Sequence, residues 1–171
     1  MKWSRGVAGI LMAVVAGVAV VYGMGRRLPA EHVATAAGVV GASQDKVWEL
    51  ITDTAQEANW RSGLLAVKPL PEQGGSPCWT EAGGGMLMPL CVMVEEPEVR
   101  RVVRVGDASL PFGGTWTWEL APVAGGTMVT ITERATVERA LWRFRGHYVM
   151  GDDTNVKQYL KDLQAEAVRR R

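Results

Sequence analysis

The hydrophobic pattern of this chain changes period several times. From Gly6 to Gly25 the sequence GVAGILMAVVAGVAVVYGMG carries no charge, with Lys2 and Arg5 before it and Arg26-Arg27 after it. At about 1.5 Å per residue such a helix is about 30 Å long, the hydrocarbon thickness of a bilayer. The pattern predicts one transmembrane helix over 6–25 and a single-pass membrane protein. A cleaved signal peptide competes with that reading, but its apolar region is usually shorter and ends at small residues. Here Val20, Val21 and Tyr22 follow Ala19, and a basic pair closes the segment. A buried or interfacial helix is the third alternative. Lys2, Arg5 and the amino terminus outweigh Arg26, Arg27 and Glu31 by a narrow margin, which gives a weak preference for an extracytoplasmic domain. Residues 26–32, including Pro29, form a short linker, so the domain stays close to the membrane.

Beyond the linker the pattern predicts one α+β domain over 33–168. His32 to Val40 is a strand candidate. Ser43 then precedes QDKVWELI, where Val47, Leu50 and Ile51 share one helical face and Ser43 can serve as N-cap. A second short helix begins near Thr52 or Asp53, carries Ala55, Ala58, Asn59 and Trp60, and stops at Gly63. The period then falls to two. Strands are expected over 64–70, 78–82, 87–95, 100–105, 115–120 and 127–137, separated by Gly-Gly, Glu-Pro and Gly-Asp turns. Tight turns between short strands imply an antiparallel meander, with Pro89 at a bulge or an edge. Leu141 to Met150 is helical, and from Thr154 the positions Val156, Tyr159, Leu160, Leu163 and Ala167 recur every three or four residues. That last helix needs the concave face of the sheet to bury its stripe.

Composition narrows the function. Nineteen Lys and Arg nearly balance eighteen Asp and Glu, so no electrostatic case exists for a nucleic-acid partner. Arg169, Arg170 and Arg171 read as a solvated helix end or a lipid contact. Two Cys and two isolated His, His32 and His147, do not assemble a usual zinc or iron–sulfur site, and neither metal nor cofactor is expected. A two-residue turn at Gly84-Gly85 would set Cys78 opposite Cys91 and permit a disulfide. A slip of one or two residues would part them, and two buried thiols are the preferred reading.

The order of strand, two short helices, six strands and long helix resembles the START-like superfamily, also called SRPBCC or polyketide cyclase/dehydrase-like. The matching phrases are ASQDKVWELITDTAQEANW, WTWEL, GTMVTITERATV and RFRGHYVMGDDTNVKQYLKDL. The resemblance implies a helix-grip fold, in which a curved antiparallel sheet wraps the C-terminal helix around an apolar cavity. That superfamily includes lipid carriers, hormone receptors and aromatic cyclases.

Within that frame the candidate ligand-binding residues are Trp60, Trp79, Met88, Arg104, Trp116, Trp118, Glu133 and Tyr148. Alternation in WTWEL puts Trp116, Trp118 and Leu120 on one face; the indoles either line a cavity or simply pack the core. Met86, Met88 and Met93 offer adaptable wall. Glu133 shares a face with Val129 and Ile131, and an inward carboxylate needs a partner, for which Arg104 is the candidate. Either residue could equally face solvent. His147 is a candidate for proton transfer, though a lone His is commonly structural. No nucleophile triad or nucleotide-binding glycine loop is present, and no catalytic residue is assigned. The expected function is noncatalytic binding or transport of a hydrophobic small molecule or lipid at a membrane. A cyclase or dehydratase-like enzyme, and a protein-interaction domain with a filled core, are the alternatives; protein partners stay open.

Overall fold

A computed structural model describes residues 3–107, 110 and 112–170. Lys2 and Arg171 lie outside the described residues, as does the Arg5 side chain. Helix α1 (Trp3–Arg27) is followed by β1 (Glu31–Val40), α2 (Gln44–Thr52) and a 3₁₀ turn (Thr54–Asn59). Six strands come next: β2 (Leu64–Gln73), β3 (Ser76–Gly83), β4 (Met86–Glu96), β5 (Arg100–Val105), β6 (Phe112–Val123) and β7 (Gly126–Val137). Helix α3 (Ala140–Arg145), a π-helical turn (Gly146–Met150) and α4 (Thr154–Arg169) complete the chain.

All seven strands form one antiparallel sheet, ordered β1-β7-β6-β5-β4-β3-β2. The sheet wraps α4, giving the helix-grip architecture. Alternation decides which side chains meet that helix. Ala34, Ala36, Val103, Trp118, Val129 and Ile131 are buried on the sheet's inner face. Val156, Tyr159, Leu160, Leu163 and Ala167 oppose them from α4, while α2 contributes Val47, Leu50 and Ile51. Full burial of one such aliphatic side chain contributes roughly 1.5–3 kcal/mol, enough for α4 to need no isolated helical stability. Pro89 sits at an edge created by strand length. Its carbonyl accepts from Gly106 N–H at 2.8 Å, just past the last β4–β5 pair, Leu90–Val105. The missing proline N–H therefore faces a position that β5 no longer occupies.

Two junctions are tighter or longer than the sequence predicts. Helix α1 continues to Arg27, leaving only 28–30 before β1. Its last turn packs on α3 so closely that a Cβ on Gly25 would lie 2.0 Å from the Ala140 carbonyl oxygen. The second correction concerns the cysteines. The Gly84-Gly85 turn holds the register, Cys78 pairs with Cys91, and the two are joined in a disulfide rather than kept as thiols. Trp79 and Leu90, their strand neighbours, belong to the core, so the bridge lies on the face away from α4.

Candidate functional site

The space between sheet and α4 divides into a solid half and a hollow one. Tyr159 is the centre of the solid half. Its ring lies 5.5 Å from those of Trp60 and Trp118 and 6.1 Å from that of Trp116, while Trp116 and Trp118 are 5.9 Å apart. Such tilted and edge-on pairs add to area burial.

Beneath these rings runs a buried ionic network that sequence reasoning missed. Arg61 Nη1 donates to Glu57 at 2.6 Å and to Glu81 at 2.7 Å, Tyr159 donates its hydroxyl to Glu57 at 3.1 Å, and Trp79 Nε1 donates to Glu81 at 3.3 Å. Burial works against the Arg61 charge, but the adjoining Glu57 and Glu81 carboxylates outweigh it and raise its affinity for the proton. Burial pushes the Glu57 carboxyl upward, and Arg61 pulls it back. The neighbouring Glu81 carboxylate adds to the effect of burial, so the Glu57 carboxyl stays above its ordinary value. Burial likewise holds the Tyr159 phenol well above its ordinary value. Arg101 donates to the Ile51 carbonyl and lies 5.3 Å above the Trp79 ring. Arg61, Glu57 and Glu81 partner one another, which marks that cluster as structural, while Arg101 Nε and the Trp60 and Trp118 indole nitrogens are buried without a hydrogen-bond partner among the described residues.

The hollow half lies toward the other end of α4, under α3 and the π turn. A cavity of about 360 Å³ is walled by Met88, Val105, Phe112 and Trp116 from the sheet and covered by Trp142 and Met150. Small residues make the room: Gly113, Gly114 and Ala135 line it where larger side chains would fill it. Gly114 is required by the backbone, since its φ is 141° and a Cβ would lie 2.0 Å from the Arg134 carbonyl oxygen. His32, Asn155 and Arg145 add polar groups to the wall.

Glu133 is the chemically distinctive group of this wall. It faces inward from β7, as its alternation with Ile131 predicts. Burial raises its carboxyl to about 7, offset in part by hydrogen bonding from Asn155. Its Oε2 is buried with no hydrogen-bond partner among the described residues, a costly state for an apolar setting. The carboxyl is thus half protonated near neutral pH.

Of the eight candidates, Met88, Trp116 and Glu133 come together around this cavity. Trp60, Trp79 and Trp118 lie in the solid half instead. Arg104 is not the partner of Glu133: Val103 and Val105 point inward, so Arg104 between them projects from the outer face and is exposed. Tyr148 is exposed on the π turn and packs on Phe144 and His147. His147 lies outside this cavity's wall and pairs with Asp152 at 2.6 Å. His32 does line it, and its shared face with the buried Ala34 and Ala36 was the signal in the sequence. Among the described residues no group of three or more His, Cys, Asp or Glu side chains could hold a metal ion.

Comparison with known proteins agrees with this architecture. No curated protein sequence matches the chain. Among solved structures, the Zhui aromatase/cyclase from Streptomyces sp. R1128 superposes with a TM-score of 0.68 at 16% identity, covering 82% of this chain and 95% of that one. The di-domain aromatase/cyclase StfQ of the steffimycin biosynthetic pathway gives 0.65 at 13% identity, over 82% of this chain and 51% of that one. A START superfamily protein from Mycobacterium smegmatis gives 0.64 at 12% identity, over 82% and 99%. At these identities the likeness is one of fold. The model of one sequence family, described as polyketide cyclase / dehydrase and lipid transport, matches residues 31–168, and the chain accordingly belongs to that family.

Proposed function

We propose that the cavity takes up a hydrophobic, carbonyl-bearing small molecule of polyketide-like character and that Glu133 moves a proton on it, as a cyclase or dehydratase does. The observation that carries this reading is the Glu133 carboxyl, buried in the cavity wall, raised to about 7 and without a hydrogen-bond partner at Oε2 among the described residues. A group with that pKa serves as base and acid near neutrality. As carboxylate it removes a proton from a carbon flanked by two carbonyls; the resulting carbanion adds to another carbonyl of the same chain. The carboxylic acid so formed returns its proton to the new alkoxide, and water is lost in a later step. Met88, Trp116 and Phe112 fold the chain so that its reacting carbons meet. A cavity of about 360 Å³ falls in the range of about 300–1,000 Å³ that holds drug-sized ligands. The family description and the two aromatase/cyclase structures lend weight to this chemistry.

Noncatalytic carriage of a lipid or other apolar molecule is the second reading, favoured by the apolar α1 and by the lipid-transport part of the family description. One experiment separates the two. Full-length protein in lipid nanodiscs is incubated with poly-β-carbonyl thioester mimics and followed by mass spectrometry. Cyclised or dehydrated product that disappears in Glu133→Gln while binding persists supports the enzyme. Stoichiometric binding without any change in the bound molecule supports the carrier.

We also assign the domain to the oxidising, extracytoplasmic side of the membrane, with α1 as its single-pass anchor. The Cys78–Cys91 bridge supports this, because disulfides persist outside the reducing cytosol. Maleimide labelling after acid quenching of the cells and denaturation of the protein checks it, because Cys78 and Cys91 are buried in the fold. Both cysteines are expected to react only after reduction; ready labelling without reductant would place them in a reducing compartment.

A further inference from the structure

The cover of the cavity exposes apolar side chains where a soluble domain would present polar ones. Val149 is 70% exposed, Tyr148 52%, Leu141 48% and Met150 48%. They belong to one stretch, α3 and the π turn, whose other side closes the cavity through Trp142, Gly146 and Met150. Large apolar side chains gathered at the surface of one short stretch in this way mark an interaction surface.

The position of α1 says what covers it. From Gly6 to Arg27 this helix is long and apolar enough to cross a bilayer. Gly25, near its end, meets the backbone of Ala140, the first residue of α3. The end of the apolar span and the start of the cover are therefore at one height, the depth at which hydrocarbon gives way to headgroups. The composition suits that depth. Tyr148, exposed on the π turn, is of a residue type enriched at the membrane interface. Arg26 and Arg27 end α1 and are cations that can meet lipid phosphates, whereas in α3 Arg143 Nε is buried and Arg145 borders the cavity over the Trp142 ring.

We propose that residues 140–150 form a second membrane contact, lying in the plane of the interface beside α1, so that the cavity's cover is seated in the same bilayer that holds the anchor. A hydrophobic ligand then reaches Glu133 from the lipid phase, past Trp142 and Met150, without crossing water. This rests on α1 being embedded and is independent of whether Glu133 performs chemistry.

The test uses full-length protein in mixed phosphatidylcholine–phosphatidylglycerol vesicles. Because the native cysteines are bridged, nitroxide labels go to single introduced thiols. Val149→Cys and Leu141→Cys probe the cover, Val14→Cys probes α1, and Ala124→Cys, on the exposed β6–β7 turn, is the aqueous control. Strand β7 has 12 residues and separates that turn from the cover by about 40 Å. Collisions with oxygen over those with a water-soluble nickel chelate measure depth. The expected ratio at Val149 and Leu141 is several-fold above that at Ala124, with Val14 deepest. Ratios at both cover sites equal to that at Ala124, with Val14 deep, overturn the second contact and leave the anchor standing. An aqueous Val14 overturns both.

Discussion

The two halves of the helix–sheet interior use similar residue types to opposite ends. Around Tyr159 the aromatic rings interlock and the polar groups of Glu57, Arg61 and Glu81 satisfy one another. Around Glu133 the walls retreat to glycine and alanine, and a carboxyl oxygen is left without a partner. The contrast teaches that a buried charge is not in itself a functional mark. In the solid half, charge is neutralised internally and stabilises one arrangement. The solid half also buries unpartnered nitrogens of Trp60, Trp118 and Arg101, but in the hollow half the unpartnered atom belongs to a carboxyl beside free space, and a ligand can offset its cost.

The sharpest way to break this comparison is to remove the cation of the solid half. Arg61→Leu strands two buried carboxylates, and breaking a buried ion cluster in this way costs about 3–5 kcal/mol. Urea unfolding of the full-length protein in detergent should show that loss, with the cavity's binding falling only as the protein unfolds. A loss below about 1 kcal/mol, the scale of a surface pair, would mean that the network is not what holds the 3₁₀ turn to β3.

Glu133→Gln should act in the opposite direction. The native carboxyl is raised from 4.5 to about 7, so the folded state binds this proton more tightly than the unfolded state. Its contribution to stability is complete below about 4.5 and is lost as pH rises through about 7. The loss is on the order of 2–3 kcal/mol once residual solvent screening is allowed for. Unfolding curves between about pH 5 and 8 should therefore fall for the native protein and stay flatter for Glu133→Gln, which gains relative stability at the alkaline end. Parallel curves would show that Glu133 is solvated and would remove its distinction from the solid half.

Much of this architecture is legible in the sequence because it depends on local periodicity. The shift from period two to period 3.6 marks the sheet and α4, whereas the Gly84-Gly85 turn only permits the register that pairs Cys78 with Cys91, and two thiols are the preferred reading where the structure holds a disulfide. Alternation also places Glu133 inward and, followed through Val103 and Val105, places Arg104 outward. Which inward tryptophans plug the interior and which border a void is another matter. That depends on where Tyr159 reaches across from α4, about forty residues after WTWEL, and no local pattern encodes it. Glu57 and Arg61 read as ordinary polar residues of a short helix; only Glu81, two residues from the buried Trp79 on the same strand face, hints at a charged interior. The cover of the cavity was harder still, since its exposed side chains acquire meaning only once Gly25 is seen against Ala140.

The smallest expected effect distinguishes the halves by volume alone. Val129 is fully buried on β7 beside the packed core, and Ala135 lies on the same strand face at the cavity wall. An extra methylene in a filled core forces side chains from their rotamers, so Val129→Leu should cost about 1–3 kcal/mol. Ala135→Leu adds more atoms, yet they enter the void; any strain is met by newly buried apolar area, and the net change should stay below about 1 kcal/mol. Its cost appears in binding instead, since the added side chain takes space beside Glu133, and affinity for an apolar ligand should fall about tenfold, or about 1.4 kcal/mol. Thermal unfolding and ligand titration of the two variants side by side give both numbers. Equal destabilisation by the two would mean that the wall at Ala135 is already packed, whereas stability retained with binding lost would locate the ligand's space on this side of Trp116.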